Sequence, residues 1–155
     1  MQNQGERFSV REETGVCFFE GADGELLAMT IDARASAEGI RFLTSSDDQF
    51  QVGLLGWQRD HQIAPHTHVE LNREITRTSE VLFIRSGKVL MSLFTDAGDL
   101  LTEHILNAGD TAVFFAGGHG FVMMEPSQII EIKQGPYLGE QEKIRFAPSP
   151  RKELP

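Results

Sequence analysis

The segment Pro65-His66-Thr67-His68 carries the residues best suited to chemistry in this chain. On a β-strand, side chains at positions i and i+2 point to the same face, so His66 and His68 would present two imidazoles to one point. Imidazole is a common ligand of divalent transition metals, and such an ion needs one or two further donors from elsewhere in the chain. The spacing therefore predicts a metal site that begins with this HxH pair.

Two residues further along the chain are candidates for the remaining donors. Glu80 begins a β-prone run, EVLFIRSG, and its carboxylate could face the same interior. His119 lies in the run Ala116-Gly-Gly-His-Gly120, where glycines let the backbone turn sharply and bring the ring close to other strands. We therefore expect residues 66 to 119 to build a β-barrel metal site.

The same residues resemble the two sequence motifs of the cupin superfamily. The first motif consists of a glycine, an HxH pair, a glutamate and a later glycine, and the matching residues here are His66, His68, Glu80 and Gly87. The second motif combines a glycine, a proline-x-glycine unit and a histidine, and the matching residues here are Gly109, Gly117 and His119. Both motifs occur in the expected order, separated by predicted β-hairpins.

The chain departs from the family pattern at three positions around these motifs. Asp60 stands where a glycine usually precedes the HxH pair. Phe115 replaces the proline of the second motif, and His119 comes one residue early.

The carboxylate ligand has two candidates. Eleven residues separate His68 from Glu80, which is longer than the family spacing, so an insertion must loop out between them. This insertion contains Glu74, a rival to Glu80 for the same position. The match at Gly87 favours Glu80.

The resemblance implies an all-β fold, the cupin double-stranded β-helix (jelly-roll) barrel, here with extra N-terminal strands. It also implies a divalent metal ion, Fe, Mn, Ni or Zn, and a metal-dependent enzyme acting on a small oxygen-rich molecule such as a sugar or sugar nucleotide. A non-catalytic binder of a small ligand, or a metal-free sugar epimerase or isomerase in which a histidine acts as base, are the alternatives. The run Ile130–Tyr137 resembles small cupins of bacterial polysaccharide biosynthesis, and cupins often form homodimers through N-terminal strands.

The elements that must position these residues are short β-prone runs separated by turn residues such as Asn107-Ala-Gly-Asp110. We predict ten strands: Val16–Phe19, Leu26–Ile31, Ile40–Thr44, Phe50–Gly56, Glu80–Arg85, Val89–Phe94, Leu101–Leu106, Thr111–Phe115, Phe121–Met124 and Gln128–Lys133. No helical period competes with this pattern, and no linker divides the chain. We therefore expect one domain, residues 1–155, with a core at about 40–135 and a flexible, proline-rich tail at 147–155.

Bulk composition excludes two classes of partner. The chain of 155 residues carries a net charge of −9, which argues against binding to nucleic acid or to an anionic membrane surface. Hydrophobic residues make up 40% of the sequence, but no run is long enough to span a membrane, and the N-terminus has no apolar signal region. A cytoplasmic protein with a small-molecule ligand is the expectation.

The other histidines, the arginines and the large apolar residues near the motifs are expected to have structural roles rather than to bind a ligand. His61 is expected at the surface, and His104 on the outer face of its strand. The arginines near the HxH pair are expected to form ion pairs with neighbouring glutamates: Arg73, Arg77 and Arg85 with Glu70, Glu74 or Glu80. The residues Phe114, Phe115, Phe121, Met123 and Met124 are expected in the core.

Overall fold

The computed structural model of the protein describes residues 8–147. The strands, numbered in chain order, are β1 (Phe8–Glu13), β2 (Val16–Gly21), β3 (Leu26–Ile31), β4 (Gly39–Phe42), β5 (Gly53–Gly56), β6 (Glu80–Ser86), β7 (Lys88–Phe94), β8 (Leu100–Asn107), β9 (Thr111–Phe114), β10 (Gly118–Met123) and β11 (Gln128–Lys133). A 3-10 helix, Gly139–Glu142, follows them. Apart from Ala147, the tail predicted to be flexible lies outside the described residues.

The strands form three antiparallel sheets. The largest has the order β1-β2-β3-β9-β6-β11, the second has the order β10-β7-β8, and β4 pairs with β5 in a separate hairpin. All ten predicted strands are present within a few residues of their expected bounds, and β1 is an additional strand. The prediction of an all-β chain is therefore confirmed.

The central strands of the six-stranded sheet are buried on both faces because apolar residues occupy successive positions along them. On β9, Ala112 and Phe114 point towards the three-stranded sheet, whereas Val113 points to the opposite side. The main core lies between the two larger sheets and combines Phe19, Ala28, Leu82, Ile84, Val89, Met91, Leu93, Leu106, Ala112 and Phe114. A smaller cluster on the other face packs against the β4–β5 region. The central strands are thus fixed from two sides.

Two tight turns hold the strand ends in register. Gly87 joins β6 to β7 with a φ of +91°, and a side chain there would collide with the backbone of Pro126 and Ser127. In the turn between β8 and β9, the Asp110 carboxylate accepts hydrogen bonds from the backbone amides of Ala33 (2.9 Å) and Asn107 (2.8 Å). These turns fix the ends of β6 and β9, the two strands that meet beneath the candidate site.

Residues 57–78 form no helix or strand and are exposed throughout. We call them the HxH segment because they contain His66 and His68. The expectation that these two histidines lie on a β-strand is wrong in this structure, because the segment has no pairing partner. Among the described residues, no helix has the length and apolar character needed to cross a membrane.

Candidate functional site

Glu80 and His119 meet between the two larger sheets. Glu80 is the first residue of β6, and its side chain shares a face with Leu82 and Ile84, which belong to the main core. His119 is the second residue of β10 in the opposite sheet. Its Nε2 donates a hydrogen bond of 3.0 Å to Oε2 of Glu80. Two predicted ligands, distant in sequence, therefore lie in direct contact.

The position of the His119 ring follows from its neighbours. It stacks on Phe114 with 4.3 Å between the ring centroids, and Phe114 is the register partner of Glu80. Gly118 and Gly120 on either side of His119 leave the strand without bulky side chains around the imidazole. Stacking and the hydrogen bond together define one orientation of the ring.

The Glu80 carboxylate is held in its ionised form. The hydrogen bond from His119 is the main cause, and it outweighs burial to lower the pKa of Glu80 to about 2. The other carboxylate oxygen, Oε1, lies 3.6 Å from Nζ of Lys133 at the end of β11. With only 11% of its side chain exposed, Glu80 is a fixed negative charge inside the protein.

His119 has one hydrogen-bonding atom left over. Its Nδ1 is buried and has no hydrogen-bond partner among the described residues. Buried polar atoms normally have a partner, so this atom indicates an interaction that the protein residues do not supply.

A cavity of about 890 Å³ opens above the Glu80–His119 pair. One part of its lining is apolar and comes from strand residues: Leu82, Phe94, Phe121 and Ile129. The volume lies in the range of sites that bind small molecules. Its lining combines apolar side chains with a similar number of polar and charged ones, which suits a polar ligand better than an apolar one.

The other part of the lining comes from the C-terminal strap, which we define as residues 139–146. Phe146 packs edge-on against Phe94, with 5.5 Å between ring centroids. Arg145 forms two hydrogen bonds with the Glu140 carboxylate, of 3.0 and 2.8 Å. The role of this segment was not predictable from its sequence, because a single phenylalanine among charged residues gives no strand or helix pattern.

His66 and His68 lie near each other but away from this pair. Their ring centroids are 5.4 Å apart, and Nδ1 of His66 donates a hydrogen bond of 2.9 Å to the Ala64 carbonyl. Both are exposed, as is the rival carboxylate Glu74. Between residues 8 and 147, no group of three or more His, Cys, Asp or Glu side chains converges as a metal site would require. The structure thus shows the predicted site as two separate pairs.

Three minor expectations need correction. Arg77 pairs with Glu25 at 3.1 Å rather than with a glutamate of its own segment. Met123 and Met124 are about half exposed, at 47% and 51%, rather than in the core. Phe114 is buried as expected.

His104 also differs from its predicted position on an outer face. It is half-buried, its Nε2 lies 3.4 Å from Oγ1 of Thr30, and its ring packs edge-on against Phe19. Leu106, two residues later on the same face, belongs to the main core. His104 therefore points between the sheets.

Comparisons of the chain with protein-family models, with curated proteins and with solved structures yielded no match. The assignment of a family and a function consequently depends on the residues and geometry described above.

Proposed function

We propose that the protein is a cupin that binds a small oxygen-rich molecule, such as a sugar or sugar nucleotide, above Glu80 and His119. In this proposal a divalent metal ion is held by His66, His68, Glu80 and His119. The observation that supports it is the contact between Glu80 and His119, 39 residues apart in sequence, at the base of a cavity. The Nδ1 of His119 adds a buried nitrogen that has no hydrogen-bond partner among the described residues.

The donor set suits the proposed ion. Imidazole nitrogen and carboxylate oxygen are ligands that Fe(II), Mn(II), Ni(II) and Zn(II) accept, and their chemistry does not choose among these ions. When bound, the metal would polarise an oxygen atom of the ligand and stabilise negative charge that develops there. The chain's own residues supply the rest: Phe114 and Glu80 orient His119, and the strap contributes part of the cavity lining.

The strand order supports the cupin proposal. From β6 to β11 the chain crosses four times between the two larger sheets, with β7 and β8 as a hairpin within one of them, which gives the orders β9-β6-β11 and β10-β7-β8. Within the described residues, β10 has a strand neighbour on one side only. We propose that metal binding brings the exposed HxH segment to the open side of β10, where His119 lies. The metal site would then be assembled on binding rather than preformed.

A second candidate function is a metal-free epimerase or isomerase in which His119 acts as general base. The direct hydrogen bond from His119 to Glu80 favours it, because a carboxylate in this position orients the imidazole. In this reading, His66 and His68 have no part in the chemistry.

Elemental analysis separates the two candidates when it is combined with metal titration of three variants. We expect about one ion per chain in the wild type, and loss of that ion in both His66→Gln and His119→Gln. His61→Gln is the matched control, because His61 is an exposed histidine of the same segment. If His66→Gln retained the metal, the four-ligand site would be refuted. Absence of stoichiometric metal in the wild type would favour the metal-free enzyme, and metal without turnover of sugar substrates would favour a non-catalytic binder.

We also propose a homodimer, for which β1 offers an edge. It occupies one end of the six-stranded sheet and has β2 as its only strand neighbour among the described residues. An unpaired edge can accept a strand from a second copy. Light scattering of the intact chain should give twice the monomer mass, and a monomer mass at micromolar concentration would contradict the proposal.

A further inference from the structure

The C-terminal strap is fixed against the cavity by contacts on both sides of Lys143. Before it, Oε1 of Glu142 accepts a hydrogen bond of 2.8 Å from the Leu138 amide, and Oε2 lies 3.8 Å from Nζ of Lys133. After it, Arg145 is bound to Glu140, and the Phe146 ring packs on Phe94. Lys143 is therefore presented from an anchored segment, and it contributes to the lining of the cavity.

The cationic side chains near the cavity differ in how many carboxylates lie close enough to form an ion pair with them. Lys133 lies within 4.0 Å of the carboxylates of Glu80, Glu131 and Glu142. Arg145 is engaged by both oxygens of Glu140. Lys143 has no carboxylate within the same distance among residues 8–147, and its charge acts on Glu80 and Glu140 only from farther away. It is thus the cation of the lining that forms no direct ion pair with these residues and can still contact a ligand.

We infer that Lys143 is a specificity-determining residue that recognises an anionic oxygen group, a phosphate or a carboxylate, on a sugar-sized ligand. This inference rests on the proposed use of the cavity and adds the ligand's charge to it. A lysine ammonium suits such a group because it is a compact positive charge with three donors.

The carboxylates of the site determine where the anionic group lies. Glu80 lies at the base of the cavity, and Glu142 and Glu131 also line it, so a second anion deep in the cavity would be repelled by these carboxylates. The net charge of −9 does not prevent binding at the lip, because exposed charges beyond about 8 Å are screened at physiological salt. The ligand should therefore place its anionic group beside Lys143 and its hydroxyl groups towards His119.

Three probes test this arrangement: glucose, glucose 6-phosphate and glucuronate, each titrated into the intact chain by calorimetry. We expect both anionic probes to bind more tightly than glucose, and their relative affinities distinguish phosphate from carboxylate. Lys143→Met should weaken binding of the preferred anionic probe by roughly ten- to a hundredfold and leave glucose binding unchanged. Amide shifts of Gly117, Gly118 and Gly120 in NMR spectra should report binding in this cavity.

Two further variants serve as controls. Lys143→Arg retains the charge and should retain most of the preference for the anionic probe. Lys88→Met removes a lysine at the opposite end of β7 from Phe94 and should change nothing. Three results would each overturn the inference. They are equal affinity for glucose and both anionic probes, an affinity for the anionic probe that is unchanged in Lys143→Met, and no binding of either anionic probe.

The metal content of the same samples distinguishes a failure of the four-ligand metal site from a failure of the role of Lys143. Normal metal binding without any preference for an anionic probe overturns the role of Lys143 alone. A Lys143-dependent preference in a protein that binds no metal refutes the four-ligand site and supports this inference.

Discussion

Replacing Gly118 by alanine should release the C-terminal strap from the cavity. An ideal Cβ at this position would lie 2.7 Å from Cζ of Phe146, closer than such atoms approach, and 3.1 Å from Cε1, which is a tight contact. Phe146 is 40% exposed, so more than half of its side chain is buried against the sheet. Full burial of a phenylalanine contributes about 1.5–3 kcal/mol, so displacement of this ring should lower the free energy of unfolding by about 1–2 kcal/mol.

Gly120 provides a matched control on the same strand. A Cβ there would lie 3.6 Å from Cε2 of Phe94, which is an ordinary contact, and its φ is not positive. Alanine in a strand also costs less backbone entropy than glycine, so Gly120→Ala should be neutral or slightly stabilising. Urea denaturation gives the free energy of unfolding of both variants, and limited proteolysis reports release of the strap. Equal stability of the two variants, with no new cleavage in residues 139–147, would refute the proposed packing.

Further predictions concern pH and the core. Because the folded-state pKa of Glu80 is about 2, below its ordinary value of 4.5, its stabilising contribution is present above pH 4.5 and lost as the pH falls to about 2. In urea denaturation, the difference in free energy of unfolding between wild type and Glu80→Gln should shrink as the pH falls from 4.5 to about 2. A difference that stays constant over this range would contradict the prediction. Burial lowers the pKa of His104 below its ordinary value of 6.5, so the free energy of unfolding should fall as the pH drops below 6.5. The variant His104→Gln should remove this dependence, whereas His61→Gln, at an exposed position, should retain it. Met91→Ala should cost about 2–5 kcal/mol in thermal or urea unfolding, whereas Met123→Ala, at a half-exposed position, should stay within about 0.5 kcal/mol.

The strands could be predicted from sequence because their local signals agree with their packing. The bounds of β3 and β11 match the prediction, since each is a β-prone run set off by polar or turn residues. The strand β1 escaped prediction because five of its six residues are exposed and its sequence, FSVREE, is mainly polar. It exists through backbone pairing with β2, which side-chain patterns do not report.

The candidate site could be predicted only in part. Glu80 begins a predicted strand, whereas His119 lies just before the predicted strand Phe121–Met124 and belongs to β10 only in the structure. The sheet order brings their side chains together. The rule that residues i and i+2 share a face says where His66 and His68 point if a strand forms, but not whether it forms. A strand needs a partner, and that depends on distant residues. Lys143 and Phe146 escaped prediction for a similar reason, since their role follows from contacts with the cavity rather than from local pattern.

The two halves of the proposed metal site differ in how they are held, and this difference has an energetic consequence. Glu80 and His119 are fixed by two sheets before any ligand binds, whereas His66 and His68 lie on an exposed segment without regular structure. Ordering a residue costs about 1–2 kcal/mol of backbone entropy, so recruitment of the HxH pair subtracts from the intrinsic metal affinity. Shortening residues 57–78 outside the HxH pair should therefore strengthen metal binding if the pair is recruited. The same deletion should leave the Glu80–His119 contact and the strap unchanged, because neither depends on the segment.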